Sequence, residues 1–340
     1  MPSVLKAIQA RYLPLLEAEL RDLLASTGPL YTGLYDMFHY HMGWLDADLR
    51  PTNQRAGKRV RPLLCLLACE AAGGALERAL PAAAGVETLH NFSLLHDDIE
   101  DKSDSRRGQL TVWKIWGAPQ AINAGDGMFA LAQLAFTRLP ARGVPVERAF
   151  AARHAFDQTC LTLTHGQYLD MSFEERLDVT VQDYIAMIES KTATLIATSA
   201  YLGAFLAGAS ATHAAHYRTF GHHLGMAFQV QDDVLGIWGD ASVTGKSTSS
   251  DIETRKKTLP VVYGLRQSQA LRQLYAQEIT PSQVEKVTQI LDALGARHMA
   301  EAAAAEHHQK AMGALEQAGA AGEARQALRE LAASLLKRAS

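Results

Sequence analysis

Residues 90–108, His-Asn-Phe-Ser-Leu-Leu-His-Asp-Asp-Ile-Glu-Asp-Lys-Ser-Asp-Ser-Arg-Arg-Gly, restrict the fold more than any other part of the chain. Up to His96 the segment is mostly apolar and free of Gly and Pro, so it reads as the end of a buried helix. Asp97, Asp98 and Asp101 then arrive together. On a helix, positions i and i+4 share a face, so Asp97 and Asp101 project side by side with Asp98 next to them. Carboxylates crowded at the end of an apolar helix repel one another unless something neutralises them. A hard cation held by oxygen ligands does so, and Mg2+ keeps waters and takes phosphate oxygens as well. Arg106 and Arg107 follow, and guanidinium groups match phosphate in a bidentate way that Lys does not. The combination points to a phosphorylated substrate. A solvated helix end with casual ion pairs is the simpler alternative, and a partner cluster downstream argues against it.

That partner is Phe228-Gln229-Val230-Gln231-Asp232-Asp233-Val234-Leu235-Gly236, in a helical run over 213–237 as apolar as the first. Two such clusters can face each other across a bundle interior. Between them, the run 181–207 carries Glu189, Ser190, Lys191 and Thr192 in an otherwise apolar context. A Lys there either snorkels to the surface or meets an anion. Upstream, Gly57-Lys58-Arg59-Val60-Arg61-Pro62 precedes an apolar helix over 63–72. Helix N-termini flanked by cations bind anions readily, although a solvated basic loop explains this cluster equally well in isolation. Residues 239–251 are rich in Gly, Ser and Thr and contain Lys246, with Arg255, Lys256 and Lys257 just after. A flexible loop beside a charged site is a candidate lid.

The remaining segments are helical too. Residues 3–50 give two helices broken at Thr27-Gly28-Pro29, the second running from Tyr31 to Leu49 and ending at Pro51. Further helices cover 81–101, 121–138 and 146–173, with a loop and short turn between 107 and 119. From Pro281 the chain is Ala-rich helix, and His307 and His308 there are expected to face solvent. No segment alternates with a strand period, and no dinucleotide fingerprint, P-loop or nucleophile elbow occurs. The expected fold is all-α, a large helical bundle in a single domain over 1–340. A formal net charge of -3 without a long basic run gives no nucleic-acid footprint. Three cysteines are too few for a disulfide framework, and Cys65 and Cys69 read as core. With no signal pattern and no apolar run of spanning length, a cytoplasmic protein is expected.

The motifs, in this order and spacing, resemble the trans-type isoprenyl diphosphate synthases (polyprenyl synthetases) over about residues 15–335. The likeness rests on Gly57 to Pro62, on His90 ahead of Asp97-Asp98-Ile99-Glu100-Asp101, and on Arg106-Arg107-Gly108. It continues through Lys191-Thr192, Phe228-Gln229 before Asp232-Asp233, and Gly245-Lys246 ahead of Lys256-Lys257. It implies an isoprenoid synthase bundle around a deep apolar cavity, acting as a homodimer that no sequence feature locates. Asp97, Asp98, Asp101 and Asp232 would hold Mg2+, three ions with substrate bound, with Asp233 in support. Arg106, Lys191, Lys246 and Lys256 would bind the diphosphate of an allylic substrate. Lys58, Arg61, His90 and Arg107 would bind that of isopentenyl diphosphate, and Thr192 and Gln229 would line the reaction centre.

The resemblance also marks a departure: Gly236 stands where the family usually has a third aspartate. In the family, bulky residues just before the first cluster shorten the product. Phe92 beside the small Ser93 therefore looks like the floor of a geranylgeranyl-type cavity, with farnesyl as the next product length and plain core packing of Phe92 as the alternative. A terpene cyclase on the same scaffold would not need Lys58, Arg61 and His90. A non-catalytic subunit of a heteromeric synthase would be expected to lack some of the first carboxylates. A di-iron protein would show two Glu-x-x-His motifs, and this sequence has a single one, Glu87-Thr88-Leu89-His90.

Overall fold

The computed structural model describes residues 3–52, 57–239 and 250–336. It is almost wholly helical, as expected. The chain divides into two compact units, one of Met1–Asp157, Leu202–Ala211 and Ala321–Arg325, the other of Gln158–Tyr201, Thr212–Ala320 and Gln326–Ser340.

The first unit is built on α4 (Leu80–Glu100). Every residue from Leu80 to Leu89 is buried, so this helix needs neighbours on all sides. They are α1 (Val4–Leu23), α3 (Val60–Ala71) and α6 (Ala118–Ala135). α1 contributes Tyr12, Leu16 and Leu20 from one face, all fully buried. Burying each such Leu is worth about 1.5–3 kcal/mol. Cys65 and Cys69 of α3 lie in this core as free thiols.

Between α1 and α3, α2 (Thr32–His41) stops well short of the expected Leu49. Gly43 takes a left-handed φ of 79°, and the Trp44 N–H bonds back to His39 O at 2.9 Å, ending the helix in a Schellman-type turn. Asp46 Oδ1 then accepts from the Asp48 and Arg50 N–H groups, both at 2.9 Å, and brings Leu45 back beside Pro51. A second difference follows α4, where β1 (Ser105–Arg106) and β2 (Gln109–Leu110) pair antiparallel. Arg107 and Gly108 form the two-residue turn with φ of 51° and 72°, the left-handed pair that matches strand twist. The Tyr40 hydroxyl donates to Leu110 O at 2.7 Å and Trp113 Nε1 to Ser103 O at 2.8 Å, pinning the hairpin. Two-residue strands carry no alternation to read. The short α5 (Val112–Trp116) leads into α6, and α7 (Val146–Phe173) has the expected bounds.

In the second unit, Thr180 and Asp183 form a capping box that starts α8 (Val181–Ile188). The expected single helix over 181–207 is interrupted by a π-turn, Glu189–Ala193, before α9 (Thr194–Ala207). The interruption falls on the residues singled out by sequence, as such turns frequently do at functional sites. Next come α10 (Ala211–Trp238), α11 (Ser250–Glu253), α12 (Leu259–Gln267), α13 (Gln269–Tyr275), α14 (Pro281–Ala293), α15 (Ala296–Gln317) and α16 (Gly322–Leu336). One apolar cluster joins Phe173, Tyr184, Ile188, Val230, Val234, Val262 and Ala300. Another joins Ile237, Ile252, Val261, Leu271, Tyr275 and Leu291.

The expectation for His307 and His308 is corrected: both are half-buried. Ala300, Ala304 and Ala311 form a buried stripe along α15 that brings His307 inward, its Nδ1 3.1 Å from Nδ1 of His223 on α10. Among the described residues, no helix is long and apolar enough to cross a membrane.

Candidate functional site

In the first unit, the end of α4 sorts the aspartates by exposure. Asp97 is half-buried, Asp101 is exposed, and Asp98 is only 1% exposed. Arg106, on β1, donates to Asp98 Oδ1 through Nε (2.8 Å) and Nη2 (2.7 Å). Burial raises the Asp98 carboxyl, while the Arg106 guanidinium pulls it back down. Asp98 Oδ2 is buried with no hydrogen-bond partner. Arg106, expected on a diphosphate, here holds the hairpin to the helix through that carboxylate.

A cationic group assembles around the start of α3. Arg59 is 3% exposed, held by Glu17 and Glu87, each at 2.8 Å, so it fixes the loop rather than facing a ligand. That leaves Lys58 exposed, while Arg61 Nη1 donates to His90 Nε2 at 3.1 Å. Burial depresses His90 well below the ordinary histidine range, and Arg61 and Arg107 depress it further, so the ring is neutral and accepts this bond. Burial lowers Arg61 to about 10, which leaves it charged at neutral pH. Arg107, at the hairpin turn, sets its guanidinium against Gly57. Arg61, His90 and Arg107 are thereby gathered beside the loop that carries Lys58.

His41, which sequence reading missed, belongs to the same region. Its Nε2 is buried and unpartnered, and burial with Arg107, Arg106 and Arg59 holds it well below its usual pKa. With Tyr40, Asp98, Arg106, Arg107 and Thr111 it lines a pocket of about 320 Å³, open mouth included. A lone His near a helix end offers no sequence signal for this. Phe92 and Ser93 are half-buried on α4. The Phe92 ring meets His96 edge-on at 4.8 Å and Phe129 of α6 at 5.0 Å, and Ser93 Oγ donates to His90 O at 2.9 Å.

In the second unit, the π-turn sets Lys191 Nζ 2.5 Å from Asp170 Oδ2 on α7. Thr192 Oγ1 donates to Gln229 Oε1 at 2.7 Å, and Gln229 Nε2 donates onward to Asp233 Oδ1 at 3.0 Å. Asp233 is buried and also accepts from the Tyr184 hydroxyl (2.6 Å) and the Leu259 N–H (2.9 Å). Burial pushes its carboxyl up to about 7 against these three donors. Asp232 beside it is exposed. Lys256 is half-buried, and Lys257 is buried with Nζ on Glu174 O at 2.8 Å. Lys246 lies outside the described residues.

Among the described residues, no group of three or more His, Cys, Asp or Glu stands close enough to hold a metal ion unaided. The donors that do project, Asp97, Asp101 and Asp232, are all oxygen, and Asp98 keeps a buried oxygen unpaired. Within each unit, oxygen donors of this kind suit a hard cation that completes its shell with waters and phosphate oxygens, as Mg2+ does.

The chain is similar to known proteins over most of its length. The (2E,6E)-farnesyl diphosphate synthase of Mycobacterium tuberculosis is 40% identical over 277 residues, covering 79% of this chain and 76% of that protein. The geranylgeranyl diphosphate synthase of the same organism is 41% identical over 288 residues, covering 83% and 81%. The crystal structure of a polyprenyl synthetase from Streptomyces coelicolor superposes with a TM-score of 0.87 at 34% identity, covering 98% of each chain. The family profile of polyprenyl synthetase matches residues 43–294, so the chain belongs to the polyprenyl synthetase family.

Proposed function

We propose that the chain is a short-chain prenyltransferase that joins isopentenyl diphosphate to an allylic diphosphate, with geranylgeranyl diphosphate as its product. The observation that carries this reading is that Arg61 hydrogen-bonds a neutral histidine rather than a carboxylate. Charge held in reserve beside Arg107 and Lys58 calls for an anion separate from the one the aspartates serve. A cyclase acting on one diphosphate has no use for it. The family profile runs through both compact units, which supports treating them as one catalytic domain.

In this reading the allylic diphosphate is held by Lys191, Arg106, Lys246 and Lys256, with Mg2+ at Asp97, Asp98, Asp101 and Asp232. Bound Mg2+ would supply Lewis-acid stabilisation of the leaving diphosphate. Lys191 sits at the π-turn 2.5 Å from Asp170, and in this reading its ammonium meets the charge that develops as the allylic C–O bond breaks. Apolar helix walls keep water from the carbocation. The isopentenyl double bond then attacks it, forming the new C–C bond, and the resulting cation loses a proton to the departed diphosphate. No side-chain base is assigned.

The floor is assigned to Phe92, whose ring closes the space between α4 and α6 against Phe129. Homodimerisation is assigned to α6, which leaves Ile122 and Phe129, seven residues apart on one face, 44% and 36% exposed. A cytoplasmic location completes the reading. Product analysis tests it: the protein with Mg2+, isopentenyl diphosphate and dimethylallyl, geranyl or farnesyl diphosphate yields linear geranylgeranyl diphosphate. A linear farnesyl product keeps the reaction and removes the Phe92 floor, while a cyclic hydrocarbon made without isopentenyl diphosphate removes the reaction.

A further inference from the structure

Gly236 lies four residues after Asp232 on α10 and therefore on the same face, one turn along. A Cβ built at Gly236 would collide with the side chain of Asp251, with Asp251 Cγ 2.5 Å away. The space a side chain at 236 would enter is thus already filled, and a carboxylate fills it. Asp251 is carried on α11, and its neighbour Ile252 is fully buried among Ile237, Val261 and Tyr275. The Lys256 N–H bonds to Asp251 O at 2.9 Å and the Arg255 N–H to Ile252 O at 3.0 Å, closing the turn behind it. The backbone that carries Asp251 is therefore held by this turn and by the packing of Ile252, which includes Ile237 of α10. The Asp251 charge is also among those that raise Asp233, which puts it within electrostatic reach of the second cluster.

We infer that Asp251 supplies, from a different part of the chain, the third carboxylate that Gly236 leaves out of the second cluster. It stands with Asp232 toward the divalent cation that accompanies the allylic diphosphate. The inference rests on the proposed function, in which Asp232 serves that cation. It gives Gly236 a physical reason: any side chain there evicts Asp251. An aspartate restored at 236 displaces the existing carboxylate instead of adding one.

The test measures the Mg2+ concentration that gives half-maximal binding of a non-ionisable allylic thiolodiphosphate, followed by calorimetry, so that turnover does not enter. Asp251→Asn raises that midpoint about tenfold, the loss typical of a supporting metal-site residue. Gly236→Asp alone also raises it. The double variant Gly236→Asp with Asp251→Ala, in which the new side chain has room, returns to within about threefold of wild type. Melting curves without Mg2+ establish that each variant is folded, and if Asp251→Asn melts early the double variant decides. An unchanged midpoint in folded Asp251→Asn, or a double variant no better than Asp251→Asn, overturns the inference. Wild-type protein that binds the analogue at no Mg2+ concentration instead overturns the functional reading beneath it.

Discussion

The Tyr184 hydroxyl donates to Asp233 Oδ2 at 2.6 Å, and this bond gives two adjacent aspartates different work. With Leu259 N–H on the same oxygen and Gln229 on the other, Asp233 is an anchor that ties α8, α10 and α12 together. Asp232, one residue earlier, is left exposed and able to take a ligand. The first cluster repeats the division, with Asp98 turned in to Arg106, Asp97 half-buried and Asp101 exposed.

Substitution separates the two roles. Tyr184→Phe leaves a buried carboxylate short of one donor and costs about 1–3 kcal/mol in urea unfolding. Asp232→Asn, at an exposed position, changes stability by no more than about 0.5 kcal/mol but lowers turnover by roughly 10²-fold or more. Stability loss confined to Asp232→Asn and activity loss confined to Tyr184→Phe would reverse the assignment.

Arg59 is the structural member of the basic loop. Arg59→Met leaves the buried Glu87 without its ion-pair partner, and breaking a buried pair from one side costs about 3–5 kcal/mol. Denaturant midpoints of this variant and of Lys58→Met report the contrast. Lys58 is exposed, and its substitution leaves the midpoint near that of wild type.

His223 and His307 make acid stability depend on pH. Burial first, then His222, His307 and Lys310, hold His223 down at about 4, with Glu306 opposing. Burial, Lys310 and His222 also lower His307, with Glu306 and Glu189 opposing. An unfolded histidine titrates near 6.5, so between about pH 6.5 and 4 the unfolded chain binds more protons than the folded one. The pair's contribution is therefore full above about pH 6.5 and is lost as the pH falls toward 4. Melting curves at about pH 7.5 and pH 5 give a Tm drop that is roughly 2–4 °C smaller in His223→Asn than in wild type. Equal drops in the two proteins would remove the histidines from the account.

Phe92→Ala opens the space between α4 and α6 that the aromatic ring fills against Phe129. Chromatography of the products shows a shift to chains longer than geranylgeranyl, with Ser93→Phe shifting them shorter. An unchanged product from both variants means the ring is core packing and the floor lies elsewhere.

Much of this was legible in the chain because the motifs combine a helical period with a chemistry that period alone does not require. Asp97 and Asp101 share a face by spacing, and α7 has the bounds expected of it. The end of α2 was misread because Gly43, rather than the more conspicuous Pro51, turns the chain. The Glu189–Ala193 π-turn was invisible, since the residues after it are buried on nearly every side and a shift of face leaves no mark in such a run. Which aspartate of each pair turns inward depends on Arg106 and Tyr184, residues whose contacts no spacing rule specifies. His41 and Asp251 were missed for a similar reason: the first meets Arg106 and Arg107 of a hairpin far along the chain, and the second reaches Gly236 through the turn around α11.

Two-substrate steady-state kinetics separate the two diphosphates, which require two separable sets of cations. Arg61→Ala is predicted to raise KM for isopentenyl diphosphate by about 10²-fold and to leave that for the allylic substrate near wild type. Lys191→Ala is predicted to do the opposite and to lower kcat as well. If both variants raise the same KM, or if isopentenyl diphosphate is not consumed by the wild-type protein, the two-diphosphate account is wrong.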